Sequence, residues 1–137
     1  MKIFLGKTYL DSRGILRFNN DFDLSEIKRV YEIENCDIEF RRGWKGHCKE
    51  KRWFLCTSGV IEITVKEILQ GIKLSNKSNT IKLSADKFDV LEVPEMYATL
   101  IKQKVPGSKV LVFANSFIDN SEEDIRWPYC KNNLNNE

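Results

Sequence analysis

The sequence lacks a strong charge of one sign. Its 22 lysine and arginine residues nearly balance 20 aspartate and glutamate residues, which leaves a formal net charge of +2. A protein that binds nucleic acid or an anionic membrane through its overall field carries a larger excess of positive charge. We therefore expect neither nucleic acid nor a membrane as a partner, and any basic binding surface must be local.

Long apolar segments and closely spaced cysteines are also missing. No apolar run approaches the roughly 18 residues that a transmembrane helix requires. The run that follows Lys2 is too short for a signal peptide, so we expect a cytoplasmic protein with reduced thiols. The four cysteines form no Cys-x-x-Cys pair, and they predict neither a disulfide nor a structural zinc site.

Helical periodicity is scarce as well. Short alternating runs rich in β-branched and aromatic residues predominate, most clearly at residues 60–65, and turn-forming residues such as Pro106-Gly107 separate them. About nine or ten short strands without a long helix predict an all-β sandwich or barrel. The length of 137 residues suits one domain. We assign residues 1–130 to this domain and expect the Asn-rich residues 131–137 to form a flexible tail.

Positive charge is concentrated in residues 41–54. This stretch is dense in lysine and arginine, contains two of the three tryptophans, and holds His47, the only histidine. Side chains two residues apart point to the same face of a strand, so Lys45 and His47 are predicted to share a face that Lys51 and Trp53 continue. We interpret the stretch as the floor of a pocket for an anionic ligand.

Several short motifs resemble those of small cupins that act on nucleotide sugars. The motifs are Arg42-Gly43-Trp44-Lys45-Gly46-His47, Leu91-Glu92-Val93-Pro94 and residues 124–129. The sequence is similar to WxcM-like domains and dTDP-4-keto-6-deoxyglucose 3,4-ketoisomerases, and more distantly to dTDP-4-dehydrorhamnose 3,5-epimerase. The resemblance implies a cupin jelly roll, a homodimer with exchanged N-terminal strands, and a nucleotide sugar bound inside the barrel.

The sequence departs from the ketoisomerases at three positions. Those enzymes carry Arg-Gly-aromatic-His-x-His, and Lys45 occupies the position of the first histidine here. A further family histidine corresponds to Thr99, and a family tyrosine corresponds to Phe117. Many cupins bind iron, manganese or zinc with several histidines and a glutamate, whereas this chain has one histidine. We therefore predict a metal-free site that needs no cofactor.

The implied reaction is proton transfer beside the ketone of a nucleotide-linked 4-keto-6-deoxy sugar, in surface polysaccharide biosynthesis. An isomerase or epimerase of this kind needs a base for the α-proton and a group that stabilises the enolate oxygen. We predict His47 as the base, since an ordinary histidine pKa of about 6.5 suits neutral pH. Lys45 either polarises the ketone or, if burial lowers its pKa, acts as the base itself. Tyr97 is a candidate proton donor.

Four residues are predicted to bind the substrate: Arg42, Lys51, Trp53 and Arg126. The planar guanidinium of Arg42 suits bidentate pairing with a diphosphate. For Trp53 the alternative role is packing, because large aromatics in a small barrel are more often part of the core. Packing is also the alternative role for Arg126, because we expect its segment to fold back over the barrel. The altered histidine and tyrosine positions also keep open a second function, binding of a nucleotide sugar without turnover by an accessory or regulatory subunit.

Overall fold

The computed structural model describes residues 1–70, 72–117 and 124–127, which form thirteen β-strands and no helix. The strands are β1 (Lys2–Phe4), β2 (Lys7–Asp11), β3 (Gly14–Phe18), β4 (Arg29–Ile33), β5 (Arg41–His47), β6 (Arg52–Ser58), β7 (Val60–Leu69), β8 (Lys73–Leu74), β9 (Asn79–Ser84), β10 (Val90–Val93), β11 (Tyr97–Gln103), β12 (Lys109–Ala114) and β13 (Asp124–Arg126). This confirms the all-β prediction. In these ranges no helix is long and apolar enough to cross a membrane. The expected tail, residues 131–137, lies outside them.

Two antiparallel sheets enclose one core. The first has the strand order β1-β10-β6-β12-β4, and the second has the order β13-β5-β11-β7-β8, with β9 also paired to β7. Both sheets contribute to the buried apolar cluster, Phe54 and Leu91 from the first and Ile63 and Ile101 from the second. Burial of such side chains, at roughly 25 cal/mol per Å² of apolar surface, holds the two sheets together.

Strand β7 continues beyond the segment that its alternation predicted. Ile63 and Val65 point into the core, as expected for residues 60–65. The strand then runs on to Leu69 because Ile68 is buried on the opposite face, where it packs with Trp44. The second sheet therefore has an apolar cluster on its outer face as well as on its inner face.

The outer face of the first sheet is covered by the N-terminal part of the chain. Trp53 and Leu55 are buried there, and Phe4 and Phe22 pack against them. The ring of Phe22 lies 6.1 Å from that of Trp53, between centroids. Strand β6 is thus shielded from water on both faces along residues 52–56, whereas Thr57 is exposed.

Candidate active site

Strand β5 directs Lys45 and His47 into the barrel. Their register partners on β11 are Thr99 and Tyr97, and Thr99 also pairs with Val65, which belongs to the core. Residues directly opposite each other in an antiparallel pair share a face of the sheet. The register therefore places the lysine and the histidine on the same inner face, where the alternation predicts them.

Two glycines allow β5 to lie this close to β11. Gly43 has a φ of 135°, and a Cβ at this position would collide with the carbonyl oxygen of Thr99. At Gly46, a Cβ would lie 2.7 Å from Cδ1 of Ile68 and 3.1 Å from Cβ of Ala98. A side chain at either position would force the strands apart, so the two glycines preserve the register that orients the inner side chains.

His47 belongs to a buried polar cluster at one end of the barrel. Its side chain and that of Glu50 are each 2% exposed, and the imidazole Nε2 lies 3.7 Å from Oε1 of the carboxylate. Nη2 of Arg29 donates to both carboxylate oxygens, at 3.3 and 3.2 Å, and the hydroxyl of Ser116 donates to Oε2. A buried carboxylate requires such partners. Glu50 has two hydrogen-bond donors, Arg29 and Ser116, and lies within ion-pair distance of His47.

Arg52 brings a further buried cation to the inner face. It is 3% exposed, and its guanidinium carbon lies 5.4 Å from the centroid of the Phe54 ring. Arg52, Arg29 and Glu50 were not among the residues predicted for the site. Arg52 could have been found by extending the inward alternation of Phe54 and Cys56 back by two residues. Glu50 lies in the turn between β5 and β6, where alternation carries no information.

The prediction that Lys51 and Trp53 share a face with His47 is wrong. Strand β5 ends at His47 and β6 begins at Arg52, so the alternation does not continue through the turn between them. Trp53 is 2% exposed and packs on the outer face of the first sheet with Phe22. The barrel wall therefore separates its indole from the inner side chains of β5.

Lys51 is held beside this outer tryptophan. Its ammonium lies 5.1 Å from the centroid of the Trp53 ring and 3.3 Å from carboxylate oxygens of both Glu26 and Glu92. Burial opposes the charged form, but the hydrogen bonds to the two carboxylates outweigh it and raise the pKa of Lys51. The ammonium of Lys51 is thus held at the outer surface by Glu26, Glu92 and Trp53, on the opposite side of the barrel wall from the inner side chains of β5.

A cationic cavity of about 350 Å³ adjoins β5 and β13. The residues that line it are Arg42, Gly43, Trp44, Lys45, Arg126 and Trp127. Arg126 is the register partner of Lys45, and both Arg42 and Arg126 are exposed. None of these lining residues is acidic, so the cavity suits an anion. Three of the predicted site residues, Arg42, Lys45 and Arg126, therefore lie together at this cavity.

Tyr97 links His47 to a second cavity. It is the register partner of His47 on one side and of Glu67 on the other, so the three residues form a row across the inner face. The half-buried tyrosine packs against the core and lines, with Glu67 and Asn79, a cavity of about 260 Å³. His47 therefore lies between Tyr97, at one cavity, and Lys45, at the other.

The positions that replace the two family histidines are neighbours. Lys45 and Thr99 are register partners, and Thr99 is 2% exposed. Phe117, at the family tyrosine position, is 72% exposed. Within residues 1–70, 72–117 and 124–127, no group of three or more histidine, cysteine, aspartate or glutamate side chains is arranged to hold a metal ion. Among these described residues, the side chains do not reproduce the histidine-rich ligand set of a cupin metal centre.

The sequence matches one family model over residues 3–127, that of FdtA, described as WxcM-like, C-terminal. The chain belongs to this family. A comparison with curated protein sequences gives no match.

Solved structures give the same family. The TDP-quinovose 3,4-ketoisomerase WlaRB from Campylobacter jejuni is 29% identical, with a TM-score of 0.71 over 92% of each chain. The sugar 3,4-ketoisomerase QdtA from Thermoanaerobacterium thermosaccharolyticum, in complex with TDP, is 25% identical, with a TM-score of 0.72 over 92% of this chain and 87% of that chain. The dTDP-4-dehydrorhamnose 3,5-epimerase from Bacillus anthracis is 15% identical, with a TM-score of 0.76 over 93% of this chain and 78% of that chain. The epimerase bears on the fold alone, and together these structures confirm the cupin jelly roll.

Proposed function

We propose that this protein is a metal-independent isomerase that moves a proton beside the ketone of a nucleotide-linked 4-keto-6-deoxy sugar. The observation that carries the proposal is the position of His47, the only histidine, buried on the inner face of the barrel between Lys45 and Tyr97. Family membership and the ketoisomerases at 25% and 29% identity support the same reaction type. Ketone migration and epimerisation share the first step, so both fall within the proposal.

In the first step the neutral imidazole of His47 removes the proton from the carbon next to the ketone. The C–H bond breaks, its electron pair forms the C=C bond of an enolate, and the proton goes to the imidazole. The ammonium of Lys45 stabilises the negative charge that develops on the ketone oxygen. For ketone migration, the hydroxyl proton on the neighbouring carbon passes to the former ketone oxygen, and the proton held by the imidazole returns to the former ketone carbon, so that the neighbouring C–O becomes the new ketone. For epimerisation, a proton adds to the opposite face of the carbon that lost it, and the original ketone re-forms. We assign Tyr97, the register partner of His47 on the side away from β13, as the proton donor.

The diphosphate is assigned to the cavity lined by Arg42 and Arg126. Both guanidinium groups present several donors in a plane, which suits bidentate binding of phosphate oxygens. Arg42 and His47 pair with Ile101 and Tyr97, which are four residues apart on β11 and therefore roughly 13 Å apart along the strand. A sugar at the imidazole and a diphosphate at the arginine are therefore compatible with one extended ligand, with Lys45 between them.

The proposed active form is a homodimer. Strands β2 and β3 form a two-stranded sheet that pairs with neither of the larger sheets. Tyr9, Leu10, Ile15 and Leu16 of this hairpin are each more than half exposed. An isolated hairpin is at best marginally stable in water, so a second copy of the chain is the partner that would cover these side chains. Light scattering should give twice the mass of one chain.

The function is tested by incubation with TDP-4-keto-6-deoxyglucose in deuterated water. We expect deuterium next to the ketone and a new sugar signal by NMR. Binding of the nucleotide sugar by calorimetry with neither exchange nor product would overturn catalysis and select the accessory-subunit function. Absence of both binding and exchange with TDP-, UDP- and GDP-linked keto sugars would overturn the assignment to nucleotide sugars.

A further inference from the structure

We infer that Glu50 is a positioning residue for His47, one that orients the imidazole and stabilises its protonated form. The inference rests on the proposed role of His47 as the base. Glu50 is not needed to bind a ligand in this arrangement, because its oxygens already accept hydrogen bonds from Arg29 and Ser116. It acts on the reaction through the imidazole, which lies 3.7 Å from its nearer oxygen.

The fixed position of Glu50 is the first argument. Its side chain is 2% exposed, and donors from two other strands or their ends hold it: Arg29 at the start of β4 and Ser116 just after β12. A carboxylate fixed in this way loses little further freedom when it interacts with the imidazole. Its Oε2 is also paired with the guanidinium of Arg29, at 3.2 Å.

The surroundings of His47 supply the second argument. Several titratable or charged residues belong to the elements around His47. They are Arg29 of β4, Lys45 of β5, Glu50 of the following turn, Arg52 of β6, and the two register partners of His47, Tyr97 of β11 and Asp124 of β13. Burial and three cations disfavour a positively charged imidazole. Among the side chains that the structure describes, the carboxylate of Glu50 is within ion-pair distance of it, at 3.7 Å. Without this carboxylate the imidazole would be a weak base, poorly able to hold the proton it removes.

Glu67 provides a comparison within the same inner face. It is also acidic, but it is separated from His47 by the intervening Tyr97 strand and is exposed to solvent. A carboxylate in that position is screened by water and acts weakly on the imidazole. The assignment therefore falls on Glu50 and not on Glu67.

The single histidine makes a direct test possible. The imidazole C2 proton gives one NMR resonance, whose shift between pH 4 and 9 reports the pKa of His47 without any substrate. In Glu50→Gln we expect this pKa to fall by about one unit or more, since an opposite charge at this distance shifts a pKa by that amount. The matched control is Glu62→Gln, which removes a carboxylate paired with Lys104 at 3.5 Å. Its His47 titration should be unchanged, and an equal titration in all three proteins would overturn the inference.

A measurement on the unmodified protein covers the case in which Glu50→Gln fails to fold. With Glu50 acting as inferred, His47 titrates near or above its ordinary value of about 6.5. A value below about 5 would mean that burial and the neighbouring cations dominate, and it would overturn the inference.

Kinetics then connect the charge pair to turnover. Glu50→Gln should lower kcat by about tenfold or more and shift the acid limb of the pH profile to lower pH, with KM nearly unchanged, because the imidazole becomes a weaker base. A purely structural role would lower the melting temperature without moving that limb. Failure of the unmodified protein to turn over any keto sugar would count against the proposed function, whereas the NMR titration would still decide the Glu50–His47 pair.

Discussion

The two ends of strand β5 place positive charge in opposite environments. At the end of the strand His47 meets Glu50, and both side chains are 2% exposed. Near its beginning, Arg42 is exposed and, with Arg126, lines a cavity whose described residues include no acid. The buried imidazole thus has a charged neighbour inside the protein, whereas the exposed arginines are accessible to a ligand from solvent.

This difference matters because water and salt weaken exposed charges far more than buried ones. A buried pair holds its geometry and its strength, which suits a proton transfer that depends on orientation. Exposed arginines attract an anion over a longer range but contribute less to its placement. We therefore expect changes at the His47 end to alter kcat and changes at the Arg42 end to alter KM.

The largest effect is expected for His47→Asn. The replacement retains a polar side chain but has no base, so kcat should fall by about 10³-fold or more. Exchange of the α-proton in deuterated water measures the loss, and the thermal midpoint shows whether the fold is retained. A folded variant with a tenth of the original activity would assign the base to another residue, with Lys45 as the first alternative.

Lys45→Met should have the next largest effect. The methionine keeps much of the side-chain length but removes the ammonium, and loss of one group that stabilises a developing oxyanion costs about 10²-fold in kcat. Lys45→His restores the family pattern and should retain more activity than Lys45→Met. Equal rates for the methionine variant and the unmodified protein would exclude Lys45 from the reaction.

Arg42→Gln tests the exposed positive charge near the beginning of β5. We expect KM to rise by about tenfold with little change in kcat, since an exposed contact to phosphate contributes about 1–2 kcal/mol. The dependence of KM on salt should also become weaker, because one exposed charge fewer is screened. Lys51→Gln is the matched control, a cation of the same basic stretch on the outer side, and it should leave both constants unchanged. A loss of kcat in Arg42→Gln would contradict the separation between the two ends.

Alternation along strands predicted the parts of the site that lie within one strand. Lys45 and His47 are two residues apart in β5, and the register with β11 places both in the barrel. The same rule failed for Lys51 and Trp53, since they follow a turn that resets the alternation. The all-β fold was predictable for the same reason, because it depends on short-range patterns repeated many times.

The polar cluster formed by Glu50 beside His47, together with the groups that hold Glu50, could not be predicted from the sequence. Arg29, Glu50 and Ser116 come from a strand, a turn and a strand end that are far apart in the chain, and only the pairing of β4, β12 and β6 brings them together. Single-strand periodicity holds no information on such contacts. Charge offered no signal either, since Glu50 is one acid within a stretch that is otherwise basic.

The smallest effect on catalysis is expected for Trp53→Phe, which contrasts the outer face of the first sheet with its inner face. The indole Nε1 donates to Oε1 of Glu92 at 3.0 Å, and the ring packs against Phe22. Phenylalanine keeps most of the apolar contact but loses this donor, so the free energy of unfolding should fall by about 1 kcal/mol. Urea denaturation measures the loss, and kcat and KM should stay within experimental error.

Trp53→Phe is thus expected to lose stability and keep its turnover, whereas His47→Asn is expected to lose turnover and keep its stability. A changed KM in Trp53→Phe, at unchanged stability, would mean that the substrate reaches the outer face. The barrel wall between Trp53 and His47 would then not be the boundary of the site, and the second copy in the proposed homodimer would be the place to look for the remaining contacts. Equal kinetics with lower stability would leave the inner face of β5 as the reaction surface, with the outer tryptophan as part of its support.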